Sequence, residues 1–530
     1  MKRIIFGKEA REKLKAGSDA VANAVKVTLG PLGRNVIISE YHGAEPSATK
    51  DGVSVARSIQ LEDPIENVGA QIIKGVARKT VDDAGDGTTT ATVLAQSMIN
   101  EGLVAISGTA NPMDVKRGMD KSVAIVVNHI KSISKKIDGD VEKIKNVATI
   151  SANNDSEIGD LIASAFAKIG ETGVIDIEDS STAETTIRVV DGMQIDKGYI
   201  SKYFVTNPEK MEVVMEDALV IVTDHDITLS KEIIPILEKA IPTGKPIFIV
   251  CSDLTQEGLS FITMNKLQGG LKVSAIKPSS AYRAEALSDI ATLTGATVIS
   301  ESIGIKIENA SLSHLGSCGK IVSTELTTSF IDGKGSAEAI KVRQDEVTAL
   351  LANAKLEFDI DRLKRRLARL SGGVAIMSVG ASTDIEMNEK KDRVDDAVRA
   401  TRSAIEEGIV AGGASCLLSC MNVLEATEFL NEDEMLGRGV ILKAMEAPLR
   451  QILSNCGIDS KADSIVAEIK SGKSIGYNAK TMNHEDLFAS GVIDPAKVVR
   501  VALENACSIA GVIITCECLD AEIHRKGPML

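Results

Sequence analysis

Two helical regions enclose a strand-rich middle in this 530-residue chain. Residues 8 to about 135 and 408 to 520 carry apolar residues mainly at helical spacing. Between 191 and 373, short β-branched runs alternate with helical segments, which indicates a βαβ-type layered domain. A chain of this length is also too long for a single hydrophobic core. The order therefore predicts nested domains whose outer halves fold together, so that residues far apart in sequence meet.

Composition argues against several classes of protein. The formal net charge is -14 and only 3% of the residues are aromatic. Neither the basic patch nor the aromatic platforms of a nucleic-acid-binding protein are visible, and the charge also disfavours an anionic membrane as partner. The N-terminal sequence MKRIIFGKEAREKLK is basic without an apolar stretch, so we expect no secretory signal and a cytoplasmic protein. The eight cysteines lie mainly among apolar neighbours without a nearby His, which favours buried reduced thiols over a metal site.

The run GDGTTT at residues 85–90, which opens the apolar stretch ATVLAQSMI, is typical of a phosphate site. Its two glycines allow the backbone to turn through positive φ and to approach a ligand closely. The threonines supply hydroxyl and backbone N–H groups at the start of a helix, where an anion is favoured. Asp86 offers a hard oxygen ligand to Mg²⁺. Taken alone, Asp86 and Thr88 fit ordinary helix capping equally well.

Several longer strings resemble the group I chaperonins of the GroEL type, and together they extend over nearly the whole chain. They are KVTLGPLGRNV (26–36), KDGVSVAR (50–57), GDGTTTATVLAQ (85–96), TISANND (149–155), IEEGIVAGG (405–413), EAPLRQIL-NCG (446–457), GYNA (476–479) and GVIDPAKV (491–498). The resemblance implies a multidomain α and α/β fold. Its parts would be a mainly helical equatorial domain (1–134 and 408–530), a small mixed intermediate domain (135–190 and 374–407) and an inserted α/β apical domain (191–373).

The same resemblance assigns a nucleotide pocket to matching residues. It implies ATP, Mg²⁺ and K⁺ as cofactors, with Asp86 as the Mg²⁺ ligand and with Thr28, Lys50 and Thr89 around K⁺. The residues that would contact the phosphates are Thr28, Leu29, Gly30, Pro31, Gly87, Thr88, Thr89 and Thr90. Those that would surround the ribose and the base are Ile150, Ser151, Gly412, Gly413, Asn478, Ala479, Val492 and Asp494.

Hydrolysis of ATP needs a carboxylate that orients a water molecule and accepts its proton. Asp396, on a helix predicted from about 386 to 407, matches the family's water-activating aspartate, and Asp51 matches a second, water-positioning carboxylate. Without the family match, Asp396 would be interpreted as part of a solvated helix face. Hinges near Lys135 and Gly408 would let this helix swing Asp396 toward the nucleotide.

The resemblance also implies a polypeptide-binding rim on the α/β domain. The residues expected to be exposed there are Tyr199, Tyr203, Phe204, Ile234, Leu237, Leu259, Thr263 and Met264. Exposed apolar patches of this kind bind non-native chains or amphipathic segments. Ile233 and Ile236 are expected in the core instead. Thr263 stands where the family has an apolar residue, which weakens the rim slightly, and the C-terminal HRKGPML replaces the family's Gly-Met repeat.

We therefore expect an ATP-dependent chaperone that binds non-native polypeptides and promotes their folding in a ring cavity, driven by ATP hydrolysis. The implied partners are non-native polypeptides, further copies of the chain in heptameric rings, and a co-chaperonin lid. The alternative within the same fold is an ATP-regulated holdase that works without a lid. An ATP-using small-molecule enzyme is disfavoured because no convergent polar pocket is apparent in 191–373. A passive holdase is disfavoured because Asp86 and Asp396 are both present.

Overall fold

The computed structural model describes residues 2–39, 47–170, 173–180, 182–208, 210–269, 271–279, 282–354, 356–472 and 476–522. The C-terminal HRKGPML lies outside these residues. The described residues form two compact units, one drawn from 1–164, 179–185 and 379–530, the other from 165–178 and 186–378. The finer division into three domains stays a prediction. No helix in the described ranges has both the length and the apolar character needed to cross a membrane.

Helices dominate both ends of the chain, and strands are concentrated in its middle. Up to residue 169 the elements are β1 (Lys2–Phe6), α1 (Gly7–Val25), β2 (Val36–Ile38), β3 (Ser47–Thr49), α2 (Gly52–Ser58), α3 (Pro64–Ala84), α4 (Thr88–Ala105), α5 (Pro112–Ile133), α6 (Val141–Ser151) and α7 (Ser156–Ile169). From 174 to 379 they are β4 (Val174–Asp179), β5 (Thr186–Val190), β6 (Gly192–Ile195), β7 (Val213–Val222), β8 (Asp226–Ile227), α8 (Ser230–Ala240), β9 (Ile247–Val250), β10 (Asp253–Leu254), α9 (Gln256–Leu267), β11 (Val273–Ile276), α10 (Arg283–Thr294), β12 (Gly316–Ser323), β13 (Thr328–Gly333), α11 (Ala337–Asn353), α12 (Glu357–Ser371) and β14 (Val374–Val379). The remainder is α13 (Asp384–Glu407), β15 (Ile409–Ala411), α14 (Ser415–Ser419), α15 (Met421–Glu425), α16 (Glu432–Asn455), α17 (Ala462–Lys470), β16 (Tyr477–Asn478), β17 (Asn483–His484), β18 (Ile493–Pro495), α18 (Ala496–Ile514) and β19 (Cys518–Glu522).

Local sequence signals explain where the long helices of the first unit begin and end. α3 starts after Asp63, whose carboxylate accepts the Ile65 N–H, and it stops at Gly85 in the left-handed conformation. α5 starts after Asn111, which caps the Met113 N–H. α3, α4 and α5 thus confirm the helical spacing seen in this part of the sequence. α1 ends at Val25, and the chain continues as a 3₁₀ turn to Thr28.

The core of the first unit is built from small and aliphatic residues, as the scarcity of aromatic residues requires. Glycines let its helices approach closely. An ideal Cβ at Gly437 of α16 would lie 2.8 Å from the Met119 nitrogen of α5, and one at Gly118 would lie 2.7 Å from the Glu434 Cα. A side chain at either position would therefore force α5 and α16 apart.

A six-stranded mixed sheet organises the second unit, in the order β11-β9-β7-β12-β13-β6. β11, β9 and β7 are parallel, whereas β12, β13 and β6 join antiparallel. The parallel strand β9 is buried along its whole length, as expected for a strand covered on both faces. Phe248 and Phe330 meet edge to face, with ring centroids 5.6 Å apart. The predicted α/β alternation is confirmed.

Short ladders join distant parts of the first unit. β1 pairs antiparallel with β19, from Lys2 opposite Glu522 to Phe6 opposite Cys518. β15 pairs with β18, so the segment after α13 lies beside the segment before α18. β2 and β3 form a separate two-stranded hairpin. The β15–β18 ladder brings two predicted nucleotide-binding segments together.

Candidate functional site

One cavity of about 260 Å³ in the first unit collects nearly all of the predicted nucleotide-site residues. Those that line it are Thr28, Leu29, Gly30, Pro31, Lys50, Asp51, Asp86, Gly87, Thr88, Thr89, Thr90, Ile150, Ser151, Asp396, Gly413, Asn478, Ala479, Val492 and Asp494. Gly412 is not part of the lining, and its N–H donates to the Val492 carbonyl at 3.0 Å. Segments separated by more than 400 residues therefore meet around one space.

The turn between α3 and α4 forms one wall of the cavity. Gly85 and Gly87 adopt φ values of 77° and 86°, the left-handed conformation that favours glycine. Between them, the Asp86 carboxylate accepts the N–H of Gly87. α4 then begins at Thr88 and runs for 18 residues, so its unpaired N-terminal amides and the positive end of its dipole lie at the cavity.

The loop after α1 forms the neighbouring wall. The Thr28 and Thr89 hydroxyls lie 3.2 Å apart, and the Thr28 hydroxyl also donates to the Val25 carbonyl at 2.9 Å. The Asn455 side-chain amide holds this loop in place by donating hydrogen bonds to the carbonyls of Lys26 and Leu29, at 2.9 and 2.8 Å. The hydroxyls of Thr28 and Thr89 are thereby held side by side at the cavity.

Asp51 enters the cavity wall as the N-cap of α2. Its carboxylate oxygens accept the N–H groups of Val53 and Ser54 at 3.0 and 2.8 Å. The next residue, Gly52, packs against α4, since an ideal Cβ there would lie 2.8 Å from the Thr88 hydroxyl oxygen. A capping role, which sequence reasoning raised for Asp86, is thus present at Asp51.

α13 supplies Asp396 to the same cavity. The helix buries Val394, Ala397 and Val398, while Asp396 is half-buried and lines the cavity. Burial raises the pKa of Asp396 well above its usual range, and the negative charges of Asp86 and Asp51 raise it further. A carboxylate in this setting binds a proton more readily than one on a solvated helix face. A solvated helix face was the alternative interpretation of Asp396.

Two further carboxylates are perturbed by the same surroundings. Burial raises the pKa of Asp494 to about 7, with a contribution from the Asp86 charge and an opposing hydrogen bond from the Gly413 N–H. Burial also raises the pKa of Asp86, against hydrogen bonds from the Gly87 N–H and from Ser151. The cavity therefore concentrates acidic groups whose ionised forms a cation would stabilise.

Sequence reasoning missed the apolar part of the wall. Leu417, Pro448, Ile452, Tyr477, Val498 and Val499 line the cavity. From the sequence pattern alone, these residues would be predicted to lie in the hydrophobic core. Four of them stand within the matched strings: Pro448 and Ile452 in EAPLRQIL, Tyr477 in GYNA and Val498 in GVIDPAKV. Leu417 and Val499 carried no such signal.

The second unit contains the predicted polypeptide-binding residues, and only some of them are exposed. Tyr203 and Met264 are 65% and 58% exposed, and Ile234 and Leu259 are half-buried. The expectation that Tyr199, Phe204, Leu237 and Thr263 are exposed was wrong, because all four are buried. Leu267 at the end of α9 is 65% exposed and was missed.

The burial of these four residues has a local cause in each case. Leu237 lies on the buried stripe of α8 with Ile233, Ile236 and Ala240, at the spacing i, i+3, i+4 and i+7. Thr263 lies beside Ile262 on the buried side of α9. The remaining two belong to the sheet core: Phe204 is fully buried in it, and the Tyr199 hydroxyl donates to the Met211 carbonyl at 3.2 Å.

Comparison with known proteins agrees with this architecture. The model of the TCP-1/cpn60 chaperonin family matches residues 21–519. The chain therefore belongs to the TCP-1/cpn60 chaperonin family, which confirms the resemblance seen in its motifs and makes it a molecular chaperone by class.

Two solved structures share the fold. Both are of the chaperonin gp146 from the bacteriophage EL 2 (Pseudomonas aeruginosa), determined in presence of ATP-BeFx in crystal forms II and I. Each is 21% identical to this chain, with TM-scores of 0.67 and 0.64. The matches cover 97% and 98% of this chain and 98% and 99% of the other. At this identity the similarity supports the chaperonin fold over the whole chain.

Proposed function

We propose that the protein is an ATP-hydrolysing chaperonin that captures non-native polypeptides and assembles with copies of itself. The observation that carries this proposal is the single cavity in which a glycine and threonine cradle faces Asp51, Asp86, Asp396 and Asp494. The solved phage chaperonin of the same fold was studied in presence of ATP-BeFx, which supports a nucleotide as the ligand.

The phosphates fit the wall formed by Gly87, Thr88, Thr89 and Thr90. The backbone amides at the start of α4 point their unpaired N–H groups at the cavity, where a helix N-terminus favours an anion. The loop from Thr28 to Pro31 closes the other side. At the opposite end, Ile150, Ser151, Gly413, Asn478, Ala479, Val492 and Asp494 offer a half-apolar wall for ribose and base, with Gly412 behind it.

The donor set also fits the implied cations. Asp86 offers a carboxylate among acidic neighbours, and Mg²⁺ is commonly bound by one or two carboxylates together with substrate phosphates. Thr28 and Thr89 offer neighbouring hydroxyl oxygens for K⁺, with Lys50 in the same wall. When bound, Mg²⁺ would neutralise charge on the phosphates during their transfer.

Asp396 is the residue best suited to orient the attacking water and to accept its proton. Its raised pKa brings a carboxylate closer to the range in which a general base works efficiently. Asp51 lines the same cavity, and its two capping hydrogen bonds fix the orientation of its carboxylate, which suits it to position the same water.

The polypeptide-binding surface of the proposal is narrower than the predicted rim. It contains the exposed side chains of Tyr203, Met264 and Leu267 and the partly exposed side chains of Ile234 and Leu259. Apolar side chains exposed on neighbouring elements suit an extended or amphipathic segment of a non-native chain.

Self-association is supported by two small ladders with open edges. Within the described residues, the β1–β19 pair and the β2–β3 pair have two strands each, so each has an outer edge at which another chain can pair. Ile37, Phe6 and Ile4 on these strands are 74%, 64% and 53% exposed. Pairing between copies would satisfy these edges, cover these side chains and join the copies in the predicted heptameric rings. A co-chaperonin lid and a cytoplasmic location stay predictions.

The proposal is tested by measuring ATP hydrolysis and capture of a chemically denatured protein with the purified chain. Phosphate release that needs both Mg²⁺ and K⁺, together with ATP-dependent release of the captured protein, is the expected result. Capture without any hydrolysis would contradict the proposal and favour the holdase. Electron microscopy of the same samples would show whether rings form.

A further inference from the structure

α13 rests at two points on the chain that leads into Asp86. Ser403 is buried, and its hydroxyl donates a 2.7 Å hydrogen bond to the carbonyl of Ala84, the last residue of α3. Arg399 packs its aliphatic stem over Gly85, since an ideal Cβ on that glycine would lie 3.2 Å from the Arg399 Cγ and Cδ atoms. These contacts hold α13 against the residues immediately before Asp86.

The two contact residues share one face of α13 with Asp396. The spacing of Asp396, Arg399 and Ser403 is i, i+3 and i+7, which places them on one side of the helix over two turns. The guanidinium of Arg399 pairs with Asp395 at 2.9 Å, and its stem faces Gly85. The face that brings Asp396 to the cavity is therefore the face that rests on the end of α3.

The contact at Ala84 is costly to remove. The last carbonyl groups of a helix have no partner within that helix, and a buried carbonyl without a partner is unfavourable. Ala84 is 3% exposed, and the Ser403 hydroxyl supplies a partner for its carbonyl. α13 can move away from the Asp86 turn only by giving up this hydrogen bond.

We propose that Ser403 and Arg399 are positioning residues for ATP hydrolysis, which together set the distance between Asp396 and the Asp86 turn. The inference rests on the proposed function, because that function gives Asp396 its catalytic role. Neither residue lines the cavity. Both therefore act through Asp396 and not on the nucleotide.

The test compares turnover, ATP affinity and unfolding temperature in matched variants. Ser403→Ala is expected to lower kcat about tenfold with little change in KM for ATP, in a protein that is somewhat less stable but still fully folded at the assay temperature. The control is Thr401→Val, which removes a buried hydroxyl that is bonded within α13 to the Ala397 carbonyl at 2.7 Å. This control should keep kcat. Arg399→Ala should lower kcat about threefold, and Arg399→Lys, which keeps stem and charge, should restore it.

A double variant separates positioning from general damage. In single-turnover measurements, Ser403→Ala combined with Asp396→Ala should be no slower than Asp396→Ala alone, because Ser403 acts only through Asp396. A further loss in the double variant, or a Ser403→Ala defect confined to KM or to unfolding temperature, would overturn the positioning role. Wild-type turnover in Asp396→Ala would instead overturn the proposed function, whatever the Ser403 variants do.

Discussion

The cavity of the first unit and the rim of the second unit depend on different properties of their residues. In the cavity, Gly85, Asp86 and Gly87 act through backbone conformation and charge, which belong to these residue types at these positions. On the rim, Ile234 and Leu237 are chemically alike, yet Ile234 is half-buried and Leu237 is 3% exposed. Residue identity therefore defines the cavity, whereas the helix face on which a rim residue lies decides whether its side chain is exposed.

The largest effect on ATP hydrolysis is expected from removing the carboxylate of Asp396. Asp396→Ala should lower the rate of ATP hydrolysis by at least about a hundredfold, because the water loses its general base, while ATP binding stays near normal. Steady-state phosphate release and calorimetry measure the two quantities. Asp82→Ala, which removes an exposed carboxylate of α3, is the control. Unchanged turnover in Asp396→Ala would remove catalysis from the cavity.

Substitution of Asp86 should weaken ATP binding itself, and not only the hydrolysis step. Asp86→Ala is expected to abolish the Mg²⁺-dependent part of ATP binding, because it deletes the one carboxylate in the turn between α3 and α4. Titration calorimetry with Mg²⁺ and then with EDTA isolates that part. If the two titrations still differ in the variant as they do in the wild type, Asp86 is a structural residue of the turn.

The role of exposure on the rim is tested by substituting one exposed residue, Tyr203, and one buried residue, Leu237. Tyr203→Glu should spare ATP hydrolysis and the unfolding temperature but abolish capture of a denatured test protein, since only an exposed side chain changes. Leu237→Ala should destabilise the second unit by about 2–5 kcal/mol, the usual range for truncating a buried leucine. Thermal unfolding and a light-scattering capture assay distinguish the two. A Leu237 variant that lost capture with an unchanged unfolding temperature would return Leu237 to the binding surface.

The smallest effect is a pH dependence in the nucleotide-free protein. The pKa of Asp494 in the fold is about 7, above its ordinary value. Its contribution to stability is complete below the unfolded-state pKa and is lost as pH rises through about 7. Between pH 6 and 8 the wild type should lose about 1 kcal/mol relative to Asp494→Asn. Denaturant titrations at the two pH values test this, and parallel behaviour of both proteins would contradict it.

Local signals predicted the long helices and the GDGTTT turn, whereas the other predicted cavity residues came from the family resemblance. Gly and Pro mark the ends of the helices, and the GDGTTT run places Asp86 at the start of α4 whatever surrounds it. The apolar wall was not predicted, since Leu417 and Val499 have the sequence pattern of ordinary core residues and line the cavity only in the folded chain.

The rim was harder to predict because a family match transfers identity but not burial. The buried stripe of α8 was readable from the spacing of Ile233, Ile236, Leu237 and Ala240. Leu237 was nevertheless predicted to be exposed, because the prediction followed the family resemblance and not the spacing. Phe204 offered no comparable signal, because it lies in a three-residue 3₁₀ turn with no periodicity to read.

The β1–β19 ladder has a consequence for how the chain is made. Residue 2 finds its partner at residue 522, so the first strand emerges from the ribosome long before the segment that pairs with it. Contacts of such large sequence separation are slow to form, and exposed strands and apolar helices aggregate while they wait. We therefore expect the newly synthesised first unit to be bound by other chaperones until residues 518–522 have been synthesised and can pair with β1.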